Sequence, residues 1–149
     1  MCIRDRYIDQ DRTGIWGWSY GGHMATHSLF LGNEVFEMAI AVAPVTNWRF
    51  YDTIYTERFM RTPQENPDGY DNNSPINYVD RLQGRYLLIH GSGDDNVHVQ
   101  NSMRLINALI EEGKQFEWMI YPDKKHGIKG VNTQNHLYTK MTNFITNNL

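Results

Sequence analysis

The chain has a single cysteine, Cys2, which excludes an internal disulfide framework and a metal held by paired thiolates. An excess of positive charge is also missing: 14 Lys and Arg stand against 17 Asp and Glu, for a formal net charge of −3. No basic stripe marks a nucleic-acid surface. No apolar run reaches the ~18 residues that a membrane-spanning helix needs, and the first residues do not read as a secretory leader. Internal repeats and low-complexity tracts are absent as well. What remains is 149 residues, 40% of them hydrophobic, enough to bury one core of a water-facing domain. Nothing in this composition calls for a cofactor.

The most informative stretch is Gly17-Trp18-Ser19-Tyr20-Gly21, which follows the strand-like Ile15-Trp16. This G-x-S-x-G pattern is that of a nucleophile elbow, a sharp strand-to-helix turn that exposes a serine hydroxyl at the top of an α/β-hydrolase sheet. The flanking glycines are expected to let neighbouring backbone pass without a Cβ clash. The amide of Tyr20, at the head of the following helix, is placed to donate to an oxyanion.

An elbow serine needs a base and an orienting acid, which in this fold follow in the order Ser, Asp, His. Tyr86-Leu87-Leu88-Ile89-His90 reads as a buried parallel strand and runs into Gly91-Ser92-Gly93-Asp94-Asp95-Asn96. Phe116 to Tyr121 reads as another strand, stopped by Pro122, with His126 in the loop beyond. Ser19, Asp94 and His126 thus supply nucleophile, acid and base in order. Spacing alone does not choose between Asp94 and Asp95. The chemistry requires an imidazole to take the hydroxyl proton and return it to the leaving group, and a carboxylate to fix its tautomer.

Strands are expected around 14–18, 37–43, 86–90 and 116–121, with helices over Tyr20 to Leu31, Val99 to Glu112 and Val131 to Asn147. Val99, Met103, Ile106 and Ile110 form the expected buried stripe of the second helix, and Leu137, Met141, Phe144 and Ile145 that of the third. Thr62 to Asn77, rich in Pro, Asn, Asp and Gly, reads as a long surface loop. Trp48, Tyr51 and Tyr55, at i, i+3 and i+7, fall on one face of a helix.

Three further patterns carry less. His23 and His27 have a metal-ligand spacing, but the H-E-x-x-H glutamate is missing, so packing or surface placement is the expected role. Asp94-Asp95-Asn96 lacks the ligand order of a calcium loop. Asn72-Asn73-Ser74 matches a glycosylation acceptor but is followed by Pro75. No metal site is expected.

From Tyr7 to Leu149 the chain resembles the C-terminal part of the catalytic domain of the prolyl oligopeptidase family of serine peptidases, in its dipeptidyl peptidase IV branch. The resemblance is carried by Gly14 to Gly22, Ala41 to Val45, Tyr55 to Met60, Leu87 to Gly91, Asp94 to His98 and His126 to Ile128. It implies an α/β-hydrolase fold of which this chain holds the C-terminal half, about four parallel strands with flanking helices. Residues 1–6 would then lie outside the family pattern. Ser19, Asp94 and His126 are implied as the triad and Tyr20 as an oxyanion donor. Val45, Trp48, Tyr51, Tyr55 and Val97 are implied to line a pocket for a penultimate proline or alanine, and Asn96 to bind a substrate carbonyl. The implied activity is release of N-terminal X-Pro or X-Ala dipeptides from peptide substrates through an acyl-enzyme. An endopeptidase, an acylaminoacyl peptidase or a catalytically silent hydrolase-fold binding module stays open. The resemblance also implies an exported parent protein, leaves a homodimer open, and places an N-terminal propeller and the rest of the sheet outside this chain. On that basis the chain alone is expected to be inactive and poorly soluble or partly molten, with its strand at 14–18 an unpaired edge.

Overall fold

In a computed structural model, residues 9, 11–32 and 35–149 are described; the junction expected after residue 6 lies outside them. The chain alternates strand and helix. Strand β1 (Gly14–Trp18) leads into helix α1 (Tyr20–Leu31) and strand β2 (Met38–Val42). A 3-10 turn at Trp48–Phe50 is followed by α2 (Thr53–Met60), α3 (Pro67–Asn72) and a 3-10 stretch, Pro75–Arg81. Then come β3 (Arg85–Gly91), α4 (Gln100–Glu111), β4 (Glu117–Tyr121) and α5 (Val131–Asn148). The strands form one parallel sheet in the order β1-β2-β3-β4, with β1 and β4 outermost among the described residues.

Strand periodicity explains the layers. Successive side chains of a strand point to opposite faces, so β2 and β3 each feed two cores. Ala39, Ala41, Tyr86 and Leu88 join Ala25, Leu29 and Phe30 of α1 and Leu105 and Leu109 of α4 on one face. On the other, Met38, Ile40, Val42, Leu87 and Ile89 join Leu137, Met141 and Phe144 of α5. Both faces of the central strands are covered, which is why they read as near-continuous apolar runs. Residues 40 and 87, and 42 and 89, are paired in register, so large side chains stack on the α5 side while the two alanines of β2 leave room for α1.

Three expectations change. The segment 62–77 contains α3 and enters the 3-10 stretch: Asn66 caps the helix by accepting from the Gly69 N–H, with Pro67 in the first turn. Trp48, Tyr51 and Tyr55 do not share one helix, because the chain is extended at Tyr51 and Asp52 before Asp52 caps α2. The buried face of α4 is Asn101, Ser102, Leu105, Ile106 and Leu109, whereas Met103 and Ile110 are exposed. Polar Asn101 and Ser102 hid that face from an apolar-periodicity reading, since Asn101 Oδ1 accepts from the Thr46 N–H and Ser102 Oγ meets His90 Nδ1, both outside the helix.

The turn between β1 and α1 is the tightest in the fold. Ser19 has φ 59 and ψ −119, a region costing a non-glycine residue of the order of 1–3 kcal/mol. Its N–H donates to Val42 O at 2.8 Å, which anchors the turn to the end of β2. A Cβ on Gly17 would lie 2.1 Å from Gly21 O, and one on Gly22 2.9 Å from Val42 O. A Cβ on Gly21 would meet nothing within 4 Å. The steric requirement therefore falls on Gly17 and Gly22 rather than on both glycines of the pentapeptide. Gly17→Ala is expected to destabilise the protein by at least ~1–3 kcal/mol, and Gly21→Ala, at a helical position, to be neutral or stabilising by up to ~1 kcal/mol. Urea-unfolding midpoints of the two variants check this ordering.

Candidate functional site

All strands run the same way, so the loops after β1, β3 and β4 emerge at one rim of the sheet. Ser19 directly follows β1, Asp94 lies beyond β3, and His126 lies beyond β4. The last two loops are laced together. Ser92 N donates to Tyr121 O at 2.9 Å and Gly93 N to Lys124 O at 3.0 Å, while Asp123 N donates to Ser92 Oγ at 2.8 Å. Gly91 permits this approach, because a Cβ there would stand 2.2 Å from Lys124 O.

The lacing puts His126 Nδ1 2.8 Å from Asp94 Oδ2. Asp95 points elsewhere, its Oδ2 2.6 Å from exposed Lys125 Nζ. The choice that spacing left open is thus decided in geometry: the carboxylate against His126 is that of Asp94. The Asp94 side chain is fully buried. Burial pushes its carboxyl toward protonation, but hydrogen bonds from His126, His90 and the Asn96 amide outweigh that and hold it well below the usual carboxylate range. A buried anion this heavily hydrogen-bonded keeps its charge. Its imidazole neighbour is then constrained to present Nδ1–H to the acid and Nε2 outward.

On the serine side, Trp18 Nε1 donates to the His126 carbonyl at 2.9 Å. The residue preceding the elbow serine therefore pins the backbone of the histidine loop. Ser19 Oγ itself makes no hydrogen bond among the described residues, so the hydroxyl-to-imidazole link is not made in this arrangement. The Tyr20 N–H opens α1, where no preceding helical carbonyl can accept it.

The residues expected to line a substrate pocket gather beside this rim. Val45, Trp48 and Val97 are buried together with Tyr70, and Tyr51 packs against them. The aromatic rings form a cluster despite lying on different elements: Trp48 is 6.2 Å from Tyr51 and 6.4 Å from Tyr55, and Tyr51 is 5.4 Å from Tyr55. Tyr20 joins it, 5.8 Å from Trp48. Tyr51 OH donates to Asn96 Oδ1 at 2.7 Å, which ties the aromatic wall to the Asp94 loop. A cavity of about 620 Å³ is lined by Tyr20, Trp48 and Tyr55 together with His23, His27, Thr56 and Met60. His27 Nε2 and Thr56 Oγ1 are buried there without a hydrogen-bond partner among the described residues. His23 Nδ1 donates to Val45 O at 3.1 Å, and no group of metal-ligating side chains occurs among the described residues. The two histidines pack, 4.8 Å apart edge to face.

Sequence reasoning assigned no role to His90 or Ser102, which contact Asp94 directly and at one remove. A histidine ending an otherwise apolar strand was the available signal, because an imidazole on a buried strand needs polar partners at both nitrogens.

A parallel sheet covered on both faces, with a strained serine at the first strand-to-helix turn and a carboxylate–imidazole pair on the same rim, defines the α/β-hydrolase class. The chain matches the prolyl oligopeptidase family over residues 1–149 and belongs to it. It is 48% identical over 144 residues to a probable dipeptidyl-aminopeptidase B of Neurospora crassa, covering 95% of this chain and 16% of that protein. It is 44% identical over 142 residues to dipeptidyl peptidase 4 of Bos taurus, covering 93% and 19%. The crystal structure of Porphyromonas gingivalis dipeptidyl peptidase 4 superposes with a TM-score of 0.94 at 52% identity, over 96% of this chain and 20% of that one. The chain therefore spans between 16% and 20% of the length of these relatives. Among the described residues no helix is long and apolar enough to cross a membrane.

Burial pushes His23 down to about 4 from an ordinary 6.5, against the effect of its bond to Val45, and burial lowers His27 in the same direction. The unfolded chain then binds more protons than the folded one between those values, so stability is full above pH 6.5 and falls as the pH drops toward 4. His23 alone is expected to remove about 2 kcal/mol of unfolding free energy between pH 7 and pH 5. Urea titrations at the two pH values test this; in His23→Asn, whose amide can still donate to Val45, most of the difference should vanish.

Proposed function

We propose that the protein carrying this chain is a serine exopeptidase that releases N-terminal dipeptides with proline or alanine in second position. The observation that carries the reading is the strained serine at the head of α1, on the rim that holds a buried carboxylate bonded to an imidazole. Its relatives, a probable dipeptidyl-aminopeptidase B and a dipeptidyl peptidase 4, support the same class of chemistry.

In this reading Ser19 Oγ attacks the carbonyl carbon of the second residue while His126 Nε2 takes the hydroxyl proton. Asp94 stabilises the imidazolium that results and keeps Nδ1 as the donor. The Tyr20 N–H stabilises the tetrahedral oxyanion. Collapse expels the amine of the third residue, which receives the proton from His126 and leaves an acyl-enzyme on Ser19. Water, deprotonated by the same imidazole, releases the dipeptide and restores the hydroxyl.

Specificity is assigned to the aromatic wall. Trp48, Tyr51 and Tyr55, with Val45 and Val97, offer flat apolar faces suited to a pyrrolidine ring, and size discrimination of this kind is worth ~1–3 kcal/mol per methylene. Asn96 is assigned to the substrate carbonyl. Its Oδ1 is occupied by Tyr51 OH, which leaves its amide N–H₂ to donate.

In the full-length protein, Ser19→Ala should lower turnover of a Gly-Pro chromogenic amide by roughly a million-fold, the size of the handicap seen when a serine peptidase loses its nucleophile. Retained turnover would show that Ser19 is not the nucleophile. N-acetylation of the amide should abolish cleavage; equal rates with the blocked and free substrates would point to an endopeptidase or an acylaminoacyl peptidase instead.

A further inference from the structure

His90 ends the apolar run of β3 and is completely buried. Its Nε2 lies 3.1 Å from Asp94 Oδ2 and 2.8 Å from Val97 O. Both neighbours are acceptors, so Nε2 carries the proton and is shared between them. Its Nδ1 lies 2.6 Å from the hydroxyl of Ser102, itself fully buried on α4. In the neutral ring Nδ1 is an acceptor, and Ser102 is its donor. The carboxylate and carbonyl at Nε2 fix the tautomer of His90, and the Ser102 hydroxyl complements it by donating to Nδ1, which holds the ring in the plane that serves Asp94.

The consequence falls on the carboxylate. Asp94 Oδ1 accepts from the Asn96 N–H at 2.9 Å and the Val97 N–H at 3.0 Å. Oδ2 accepts from His126 at 2.8 Å and from His90. The Asn96 and Val97 amides hold one oxygen against the turn, and among the described residues His90 is the one donor besides His126 that holds the other. Because the same Nε2–H also holds the Val97 carbonyl, His90 fixes the segment after Asn96 as well as the acid.

We propose that His90, oriented by Ser102, is a positioning residue that sets the angle of the Asp94 carboxylate and, through it, of the His126 ring. This rests on the reading of Ser19, Asp94 and His126 as a triad. Neither His90 nor Ser102 touches the reacting atoms. What they supply is a fixed direction, and a misplacement of about 1 Å at such a remove can cost roughly 100-fold in rate.

The test is steady-state kinetics on the full-length protein with a Gly-Pro chromogenic amide, each variant normalised to the fraction of sites titrated by a serine-reactive phosphonate. His90→Leu keeps the volume but removes both nitrogens, and is expected to lower kcat roughly 100-fold with KM within about threefold. His90→Gln, whose amide nitrogen falls where Nε2 was, should recover at least a tenth of wild-type kcat. Ser102→Ala should fall between the two. Wild-type kcat in titratable His90→Leu would overturn the proposal, as would equal losses in His90→Leu and His90→Gln, which would indicate packing alone. If His90→Leu cannot be titrated, the decision passes to Ser102→Ala, where wild-type kcat overturns the proposal and a loss with unchanged KM supports it. Ser19→Ala separates the two levels: an active Ser19→Ala removes the triad reading itself, whereas an inactive one with a fully active His90→Leu removes only this inference.

Discussion

The Asp94 carboxylate is the point on which the rest of the arrangement depends. It is a buried anion, and a buried anion is tolerated only when its oxygens are hydrogen-bonded. Here the donors come from its own turn, from the end of β3 and from the loop after β4. Satisfying one charge therefore fixes the mutual placement of three segments. The interloop hydrogen bonds around Ser92 and Gly93 make the same approach from the backbone side. Removing the charge would leave the loop after β4 without the partner that sets the direction of its histidine.

The serine is positioned by a different force. Its unfavourable backbone angles persist because close packing of Gly17 under Gly21, and of Gly22 against β2, leaves the chain no relaxed route into α1. The sheet supplies the common frame for both devices. Parallel pairing brings the ends of β1, β3 and β4 to one rim, so residues separated by more than a hundred positions in sequence are brought to neighbouring loops. Trp18 makes the connection direct, since its indole holds the carbonyl of His126.

Much of this was legible from the amino-acid order. β2, β3 and β4 announce themselves as short apolar runs closed by Pro or Gly, and the elbow motif marks where β1 ends and α1 begins. The illegible features come from polar side chains, some satisfied by another element and some acting as local helix caps. Asn101 and Ser102 break the apolar stripe of α4 because their partners are Thr46 and His90. The aromatic trio at 48, 51 and 55 keeps company without one helix, because Asp52 caps a new helix between the second ring and the third. α3 was concealed by its Asn, Pro, Asp and Gly content, which serves a turn and a helix cap equally well.

In the proposed triad the Ser19 hydroxyl, the His126 imidazole and the Asp94 carboxylate act as one unit. The most direct measurement is a crystal structure of the full-length protein after reaction with a dipeptidyl phosphonate that carries proline in second position. Phosphorus is expected bonded to Ser19 Oγ, with His126 Nε2 about 3 Å from that oxygen and the pyrrolidine ring against Trp48 and Tyr55. Density for the phosphonate on another residue, or an imidazole at 126 turned away from an occupied Ser19, would contradict the proposed triad.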